Sequence, residues 1–148
     1  SEMCIRDSDM EIPQEDFIEN PRPWVDYLRP HLVPVIQEIH QELGFDTLKV
    51  HKIWFQQYET ESIHGWHMHT DAQWTSVYYL DLPDSSPRTE ILNPFTQNDI
   101  QTLEIKEGDV VMFPSYVIHQ APRNKGVDTK TIISWNSDAD IRPGYEVQ

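Results

Sequence analysis

From residue 48 onward, the sequence consists of short segments rich in β-branched and aromatic residues, separated by prolines and glycines. Such residues pack well on a pleated sheet, whereas proline and glycine interrupt regular structure, so the pattern predicts strands. Eight strands are predicted, at residues 48–58, 62–69, 73–82, 89–92, 101–105, 110–113, 117–119 and 131–135. About eight short strands at regular spacing are typical of a double-stranded β-helix, or jelly roll. We therefore predict a mostly β chain whose jelly-roll core covers residues 48–136.

One amphipathic stretch precedes these strands, and it predicts a helical N-terminal part at residues 13–44. Its apolar residues recur at helical spacing, and they are Trp24, Leu28, Val35, Ile36, Ile39 and Leu43. Gly44 suits the end of the helix, because glycine readily adopts a left-handed conformation. Pro30 and Pro34 should break or kink the first half, so that the regular part begins near residue 35. We expect the helical segment to pack outside one sheet.

The chain length of 148 residues predicts one domain, at residues 9–148. Residues 1–8 show no periodicity, and we expect them to form a disordered or non-native tail that contributes nothing to stability. The single cysteine, Cys4, lies in this segment. One cysteine excludes both a disulfide framework and a zinc site built on several cysteines.

The net charge is −14, from 25 acidic and 11 basic residues. Such a surface repels nucleic-acid phosphate, so no nucleic acid is expected as a partner. No apolar run approaches the ~18 residues of a membrane span, and no signal peptide is apparent, so we expect no membrane association and a cytoplasmic location.

Potential metal ligands occur in two segments. His67, His69 and Asp71 stand two residues apart, so on a strand their side chains share one face. His119 ends a predicted strand, and a jelly roll can bring that strand beside the one that carries His69. Lys130 begins another apolar strand, where its ammonium group either faces solvent or requires an anion.

Three segments of the sequence resemble the iron(II)/2-oxoglutarate-dependent oxygenases, namely WHMHTDAQWTSVYYL, IKEGDVVMFPSYVIHQAP and KTIISWN. The resemblance extends over residues 48–136 and is strongest toward the prolyl-hydroxylase-like and the phage or bacterial branches. It implies that His69, Asp71 and His119 hold one iron(II) ion, and that His67 does not. Two histidines and one carboxylate on one side of an octahedral iron leave three positions for cosubstrate and dioxygen.

The same resemblance implies that Lys130 pairs with the distal carboxylate of 2-oxoglutarate, where related enzymes more often have arginine. If Lys130 instead faces solvent, Arg123 or Lys125 would be the next cations to consider. Tyr58, Tyr79 and Asn136 are further expected contacts of the cosubstrate. The implied reaction hydroxylates a small molecule or a peptide with dioxygen and releases succinate and carbon dioxide.

Two alternatives stay open. A cupin-type metal protein that does not use 2-oxoglutarate would bind its metal through His67 and His69 rather than through Asp71. The cupin pattern fails at Gln73, where it has glutamate, and at Tyr116, where it has glycine. The other alternative is a non-catalytic jelly-roll binding module, in which the polar residues would have no chemical role.

Overall fold

The computed structural model describes residues 4–6, 22–45 and 47–140. The described elements comprise one helix, α1 (Pro23–Leu43), and nine strands. The strands are β1 (Cys4–Arg6), β2 (Thr47–Tyr58), β3 (His64–His67), β4 (Trp74–Asp81), β5 (Glu90–Leu92), β6 (Ile100–Thr102), β7 (Val110–Pro114), β8 (His119–Ala121) and β9 (Lys130–Asp140). The helix of this described part is not long and apolar enough to cross a membrane.

The strands form two sheets. The larger has the order β1-β2-β9-β4-β7, and the smaller has the order β3-β8-β5-β6. Strand β4 pairs antiparallel with both β7 and β9, and β8 pairs antiparallel with both β3 and β5. Most sheet neighbours are therefore distant in sequence, as expected for a double-stranded β-helix. This arrangement confirms the predicted mostly β fold and its jelly-roll core.

The structure differs from the sequence prediction in two strands of the larger sheet, β9 and β1. Strand β9 extends through Asp140, beyond the predicted end at residue 135, because Asn136 and Ser137 continue the pairing with β4. Within the predicted tail, Cys4–Arg6 form β1, in which Cys4 pairs with Tyr58. The expectation of disorder was therefore wrong for these three residues. Backbone pairing to a neighbouring strand needs no alternation of side chains, so the lack of periodicity did not exclude a strand. Residues 1–3 and 7–8 lie outside the described residues.

The chain divides into two compact units, one formed by residues 1–7 and 50–137 and the other by residues 8–49 and 138–148. Helix α1 belongs to the second unit and confirms the helical prediction over Pro23–Leu43, while residues 13–21 of the predicted segment lie outside the described residues. It ends at Gly44, whose φ of 71° is left-handed and whose N–H donates to the Gln41 carbonyl at 3.3 Å. That α1 packs outside one sheet stays a prediction.

The expectation that Pro30 and Pro34 break or kink the helix was wrong as to a break, since α1 runs through both residues and its regular part does not begin near residue 35. Each proline removes one backbone donor and pushes on the preceding turn. The two residues lie four positions apart and therefore share one face. Both are exposed, so water can hydrogen-bond the carbonyls that lose a partner on that face.

Asn124, which is 1% exposed and lies after β8, helps to stabilise the unit that contains the paired strands. Its side-chain amide donates to the Tyr58 carbonyl at 3.1 Å and to the Asp128 carbonyl at 3.0 Å, and its side-chain oxygen accepts from the Gly126 N–H at 3.2 Å. One buried side chain thus joins the end of β2 to the loop that leads into β9.

We expect the substitution Asn124→Ala to lower the free energy of unfolding by about 1–3 kcal/mol, because it leaves buried backbone groups without their hydrogen-bond partner. Urea denaturation followed by circular dichroism measures this change. Lys125→Ala, an exposed position in the same loop, is the control and should stay within about 0.5 kcal/mol of the wild type. Equal stability of both variants would contradict the anchoring role of Asn124.

Candidate metal centre

Three histidines converge where the smaller sheet meets the loop after β3. His67 ends β3, His69 follows it, and His119 begins β8. The antiparallel pairing of β3 with β8 sets His67 directly opposite His119. One ring nitrogen from each of the three side chains lies within 4.8 Å of the others, a spacing suited to a shared metal ion.

Backbone carbonyls fix the proton position on two of these rings. The Nδ1 atom of His119 bonds the Val117 carbonyl at 2.9 Å, and that of His67 bonds the Gly65 carbonyl at 2.6 Å. A carbonyl oxygen only accepts, so each Nδ1 carries the proton and each neutral ring has its lone pair on Nε2. Burial lowers the pKa of His119 to about 4, so this ring is neutral near pH 7. Both rings therefore have the tautomer that a metal requires.

Aromatic rings surround the histidines. Phe113 contacts His119 edge-on at 4.8 Å between ring centroids, and the Trp54 ring lies over His69 at 5.9 Å. His64 stacks on His67 with centroids 3.8 Å apart and an interplanar angle of 14°. These contacts restrict ring rotation, so the nitrogen atoms are oriented before any metal binds.

Asp71 lies outside the group of converging histidine nitrogens. Among the described residues, the group with converging ligand atoms contains His67 and does not contain Asp71. The exposed Asp71 carboxylate accepts a hydrogen bond from the Asn136 side-chain amide at 3.4 Å. Asn136 in turn accepts from the Thr75 hydroxyl at 3.4 Å, so Asp71 is tied to a buried polar group on the larger sheet. That Asp71 binds the metal stays a prediction.

Lys130 lies inside the sheet unit and is 2% exposed. Its ammonium donates to the Pro87 carbonyl at 3.2 Å and lies 5.1 Å from the ring centroid of Tyr58 and 5.9 Å from that of Tyr79. The Tyr79 hydroxyl is bonded to the Thr89 hydroxyl at 2.7 Å, and burial raises the pKa of Tyr79 to about 12. The phenol therefore stays neutral, and the aromatic faces stabilise the ammonium charge.

The histidines and Lys130 line one pocket between the two sheets. Its other lining residues come mostly from the facing sides of the strands, and they are Trp54, Gln56, Tyr58, His64, Thr75, Val77, Thr89, Gln120, Ala121, Ile132 and Ser134. The pocket thus has a nitrogen-donor end and a cationic end. Imidazole donors suit iron(II), zinc or copper, and a buried lysine suits a carboxylate ligand.

Sequence reasoning did not identify every residue of this site. It predicted that His67 does not bind metal, yet the structure places His67 in the converging group. Thr75 was also missed, although its alternation with Tyr79 along β4 would have placed it on the pocket face. Thr89 precedes β5 and follows no periodic pattern, so the sequence gives no signal for its contact with Tyr79.

Comparison with known proteins agrees with this geometry. Residues 52–136 match the family described as "Putative 2OG-Fe(II) oxygenase". An oxidoreductase of the 2OG-Fe(II) oxygenase family from Burkholderia pseudomallei superposes with a TM-score of 0.60 at 11% identity, covering 69% of this chain and 49% of its own. The chain thus spans about half the length of that protein. No curated protein sequence matches the chain.

Two prolyl hydroxylases have a similar fold. A Pseudomonas putida prolyl-4-hydroxylase gives a TM-score of 0.55 at 16% identity, with 90% of this chain and 67% of its own covered. The viral collagen prolyl hydroxylase from Paramecium Bursaria Chlorella virus-1 gives 0.56 at 14% identity, with 88% and 76% covered. At such low sequence identities, the similarity extends to the fold alone.

We expect one divalent ion, such as Co(II), to bind per chain, and His69→Ala or His119→Ala to weaken this binding at least about tenfold through loss of a ligand. Titration of the metal-free protein, followed by the visible absorption of Co(II), measures the affinity. The control is His31→Ala, an exposed residue of α1, which should bind as the wild type does. Undiminished binding by both site variants would mean that the metal lies elsewhere.

Proposed function

We propose that this chain, which belongs to the 2OG-Fe(II) oxygenase family, is a dioxygenase that uses iron(II) and 2-oxoglutarate to hydroxylate its substrate. The observation that carries the proposal is a single pocket lined both by the three converging histidines and by the buried Lys130. When bound, iron(II) and 2-oxoglutarate supply the oxidising chemistry, with release of succinate and carbon dioxide. The chain supplies ligands, an anion site and exclusion of water.

We assign the metal to His69, Asp71 and His119. His119 contributes a neutral Nε2 whose orientation is set by the Val117 carbonyl. Asp71 contributes the negative charge that a dication favours, and it lies two residues from His69 on the same segment. Asn136 bonds Asp71 and is itself buried, so we assign it to orientation of this carboxylate.

At the other end, Lys130 would pair with the distal carboxylate of 2-oxoglutarate. The Lys130 ammonium is buried and donates to the Pro87 carbonyl, and a carboxylate that came within hydrogen-bond reach of it would bind with charge assistance. Tyr58 and Tyr79 flank the ammonium with their rings and limit its movement. We expect these tyrosines to contact the cosubstrate through the same pocket face.

The substrate class that we propose is a small molecule or a peptide. Two proteins of similar fold are prolyl hydroxylases, so a peptidyl proline is the first compound class to test. The exposed Trp66 and Met68 alternate with the histidines along the chain and offer apolar surface close to the metal site in sequence.

A second candidate is a cupin-type metal protein that does not use 2-oxoglutarate. It is favoured by one observation, the presence of His67 in the converging group. In that case the metal would be held by His67, His69 and His119, and Asp71 would be a surface residue. The two candidates therefore differ in which substitution removes activity.

We expect Asp71→Ala to abolish iron-dependent release of succinate from 2-oxoglutarate, because the metal loses its only anionic protein ligand. His67→Ala should retain most of this release. Succinate is measured under air with iron(II), ascorbate and candidate peptides. An active Asp71→Ala protein together with an inactive His67→Ala protein would favour the cupin-type candidate.

We expect Lys130→Ala to weaken 2-oxoglutarate binding by about one to two orders of magnitude, since a charge-assisted hydrogen bond in a buried site is lost. Metal affinity should change little, because Lys130 is not a ligand, and Lys130→Arg should partly restore binding. Anaerobic calorimetry on the metal-loaded protein measures both affinities. Lys106→Ala, an exposed position, is the control. Unchanged 2-oxoglutarate affinity in Lys130→Ala would refute the assignment of the anion site.

A further inference from the structure

Ser115 lies between β7 and β8 and bonds both ends of the segment that carries Asp71. Its carbonyl accepts the His69 N–H at 3.0 Å, and its own N–H donates to the Gln73 carbonyl at 2.9 Å. Asp71 stands midway between these two residues in the sequence. Ser115 is 2% exposed, so a buried backbone determines where the segment around Asp71 begins and ends.

The Ser115 hydroxyl also begins a chain of side-chain hydrogen bonds that ends at Asp71. It bonds the Thr75 hydroxyl at 3.1 Å, and the Thr75 hydroxyl donates to the Asn136 side-chain oxygen at 3.4 Å. The Asn136 side-chain nitrogen then donates to Asp71 Oδ1 at 3.4 Å. Thr75 has a single hydroxyl proton, which it gives to Asn136, so Ser115 is the donor to Thr75. Every donor in the chain therefore points toward Asp71.

This direction determines which end of the Asn136 side chain faces Asp71. A side-chain amide has a donor end and an acceptor end of nearly the same shape, whereas an ionised carboxylate only accepts. The amide nitrogen therefore stabilises the carboxylate, and the amide oxygen would repel it. Thr75 donates to the oxygen and so leaves the nitrogen for Asp71. Thr75 and Asn136 are each 1% exposed, which limits competition from water for these contacts.

We propose that Thr75 and Ser115 are positioning residues, whose hydroxyls act through Asn136 to orient the Asp71 carboxylate for metal binding. This inference rests on the proposed function, in which Asp71 is a metal ligand. The chain engages Oδ1 of Asp71, and Oδ2 takes no part in it. Ligating carboxylates are commonly hydrogen-bonded in this way, and loss of such partners lowers metal affinity by about 10–100-fold.

The substitution Thr75→Val tests the chain, because it removes the hydroxyl and nearly keeps the shape of the side chain. We expect the metal-free Thr75→Val protein to bind Co(II) about tenfold more weakly than the wild type, as measured by the visible absorption of Co(II). Ser115→Ala should weaken binding by less, because it leaves the contact between Thr75 and Asn136 in place. Thr75→Ser, which restores the hydroxyl, should bind as the wild type does.

A second set of variants separates the positioning of Asp71 from a general effect on the fold. In an Asn136→Ala protein the route to Asp71 is already broken, so the addition of Thr75→Val should cause no further loss of Co(II) affinity. Thr131→Val is the matched control, because the Thr131 hydroxyl accepts a hydrogen bond of the same length, 3.4 Å, from the Gln57 side chain on the larger sheet. Thr131 is not among the residues that line the described pocket, and its substitution should leave Co(II) affinity unchanged.

Two results would overturn the proposal. Unchanged or tighter Co(II) binding by Thr75→Val, or by Ser115→Ala if that first variant does not fold, would show that the chain does not prepare Asp71 for the metal. An equal loss from Thr75→Val with and without the Asn136 side chain would show that Thr75 acts by another route. The proposed function is tested separately by Asp71→Ala. If that protein binds Co(II) as tightly as the wild type, Asp71 is not a ligand, and the metal assignment fails together with its positioning.

Discussion

The antiparallel pairing of β3 with β8 is the contact on which the candidate site depends. It brings together segments that lie far apart in sequence and sets His67 opposite His119. Short strands alone would fix this register weakly, because each contributes few backbone hydrogen bonds. The loop before β8 adds to it, since the His69 N–H donates to the Ser115 carbonyl at 3.0 Å. The nitrogen-donor end is therefore built by backbone pairing rather than by packing of large side chains.

The larger sheet supplies most of the remaining pocket lining. Tyr58 of β2 and Lys130 of β9 line the pocket, and the ring of Tyr79 of β4 lies 5.9 Å from the Lys130 ammonium. Burial of an ammonium group is costly, and here the Pro87 carbonyl and two aromatic rings reduce that cost. The histidines lie on or next to the smaller sheet and Lys130 lies on the larger one, so the fold brings nitrogen donors and an ammonium group from different elements to one pocket.

Much of this arrangement is readable from the sequence, because proline, glycine and β-branched residues mark the strands and period-two spacing marks their faces. Lys130 is an intermediate case, since alternation left its ammonium either in solvent or beside an anion, and the structure places it in the interior. The length of β9 and the pairing of Cys4–Arg6 depend on backbone hydrogen bonds to a partner strand, which leave no compositional signal. The position of His67 depends on an irregularity in the pairing of β3 with β8, which a strict alternation of strand residues does not predict.

Charge balance gives a physical reason for a carboxylate in the proposed site beside three histidines. Burial keeps His119 neutral, so imidazoles alone would leave the full charge of a dication in the pocket. With iron(II) at +2, Asp71 at −1, 2-oxoglutarate at −2 and Lys130 at +1, the proposed complex is neutral. Because uncompensated charge is costly in a buried site, Lys130 and Asp71 would together favour this complex.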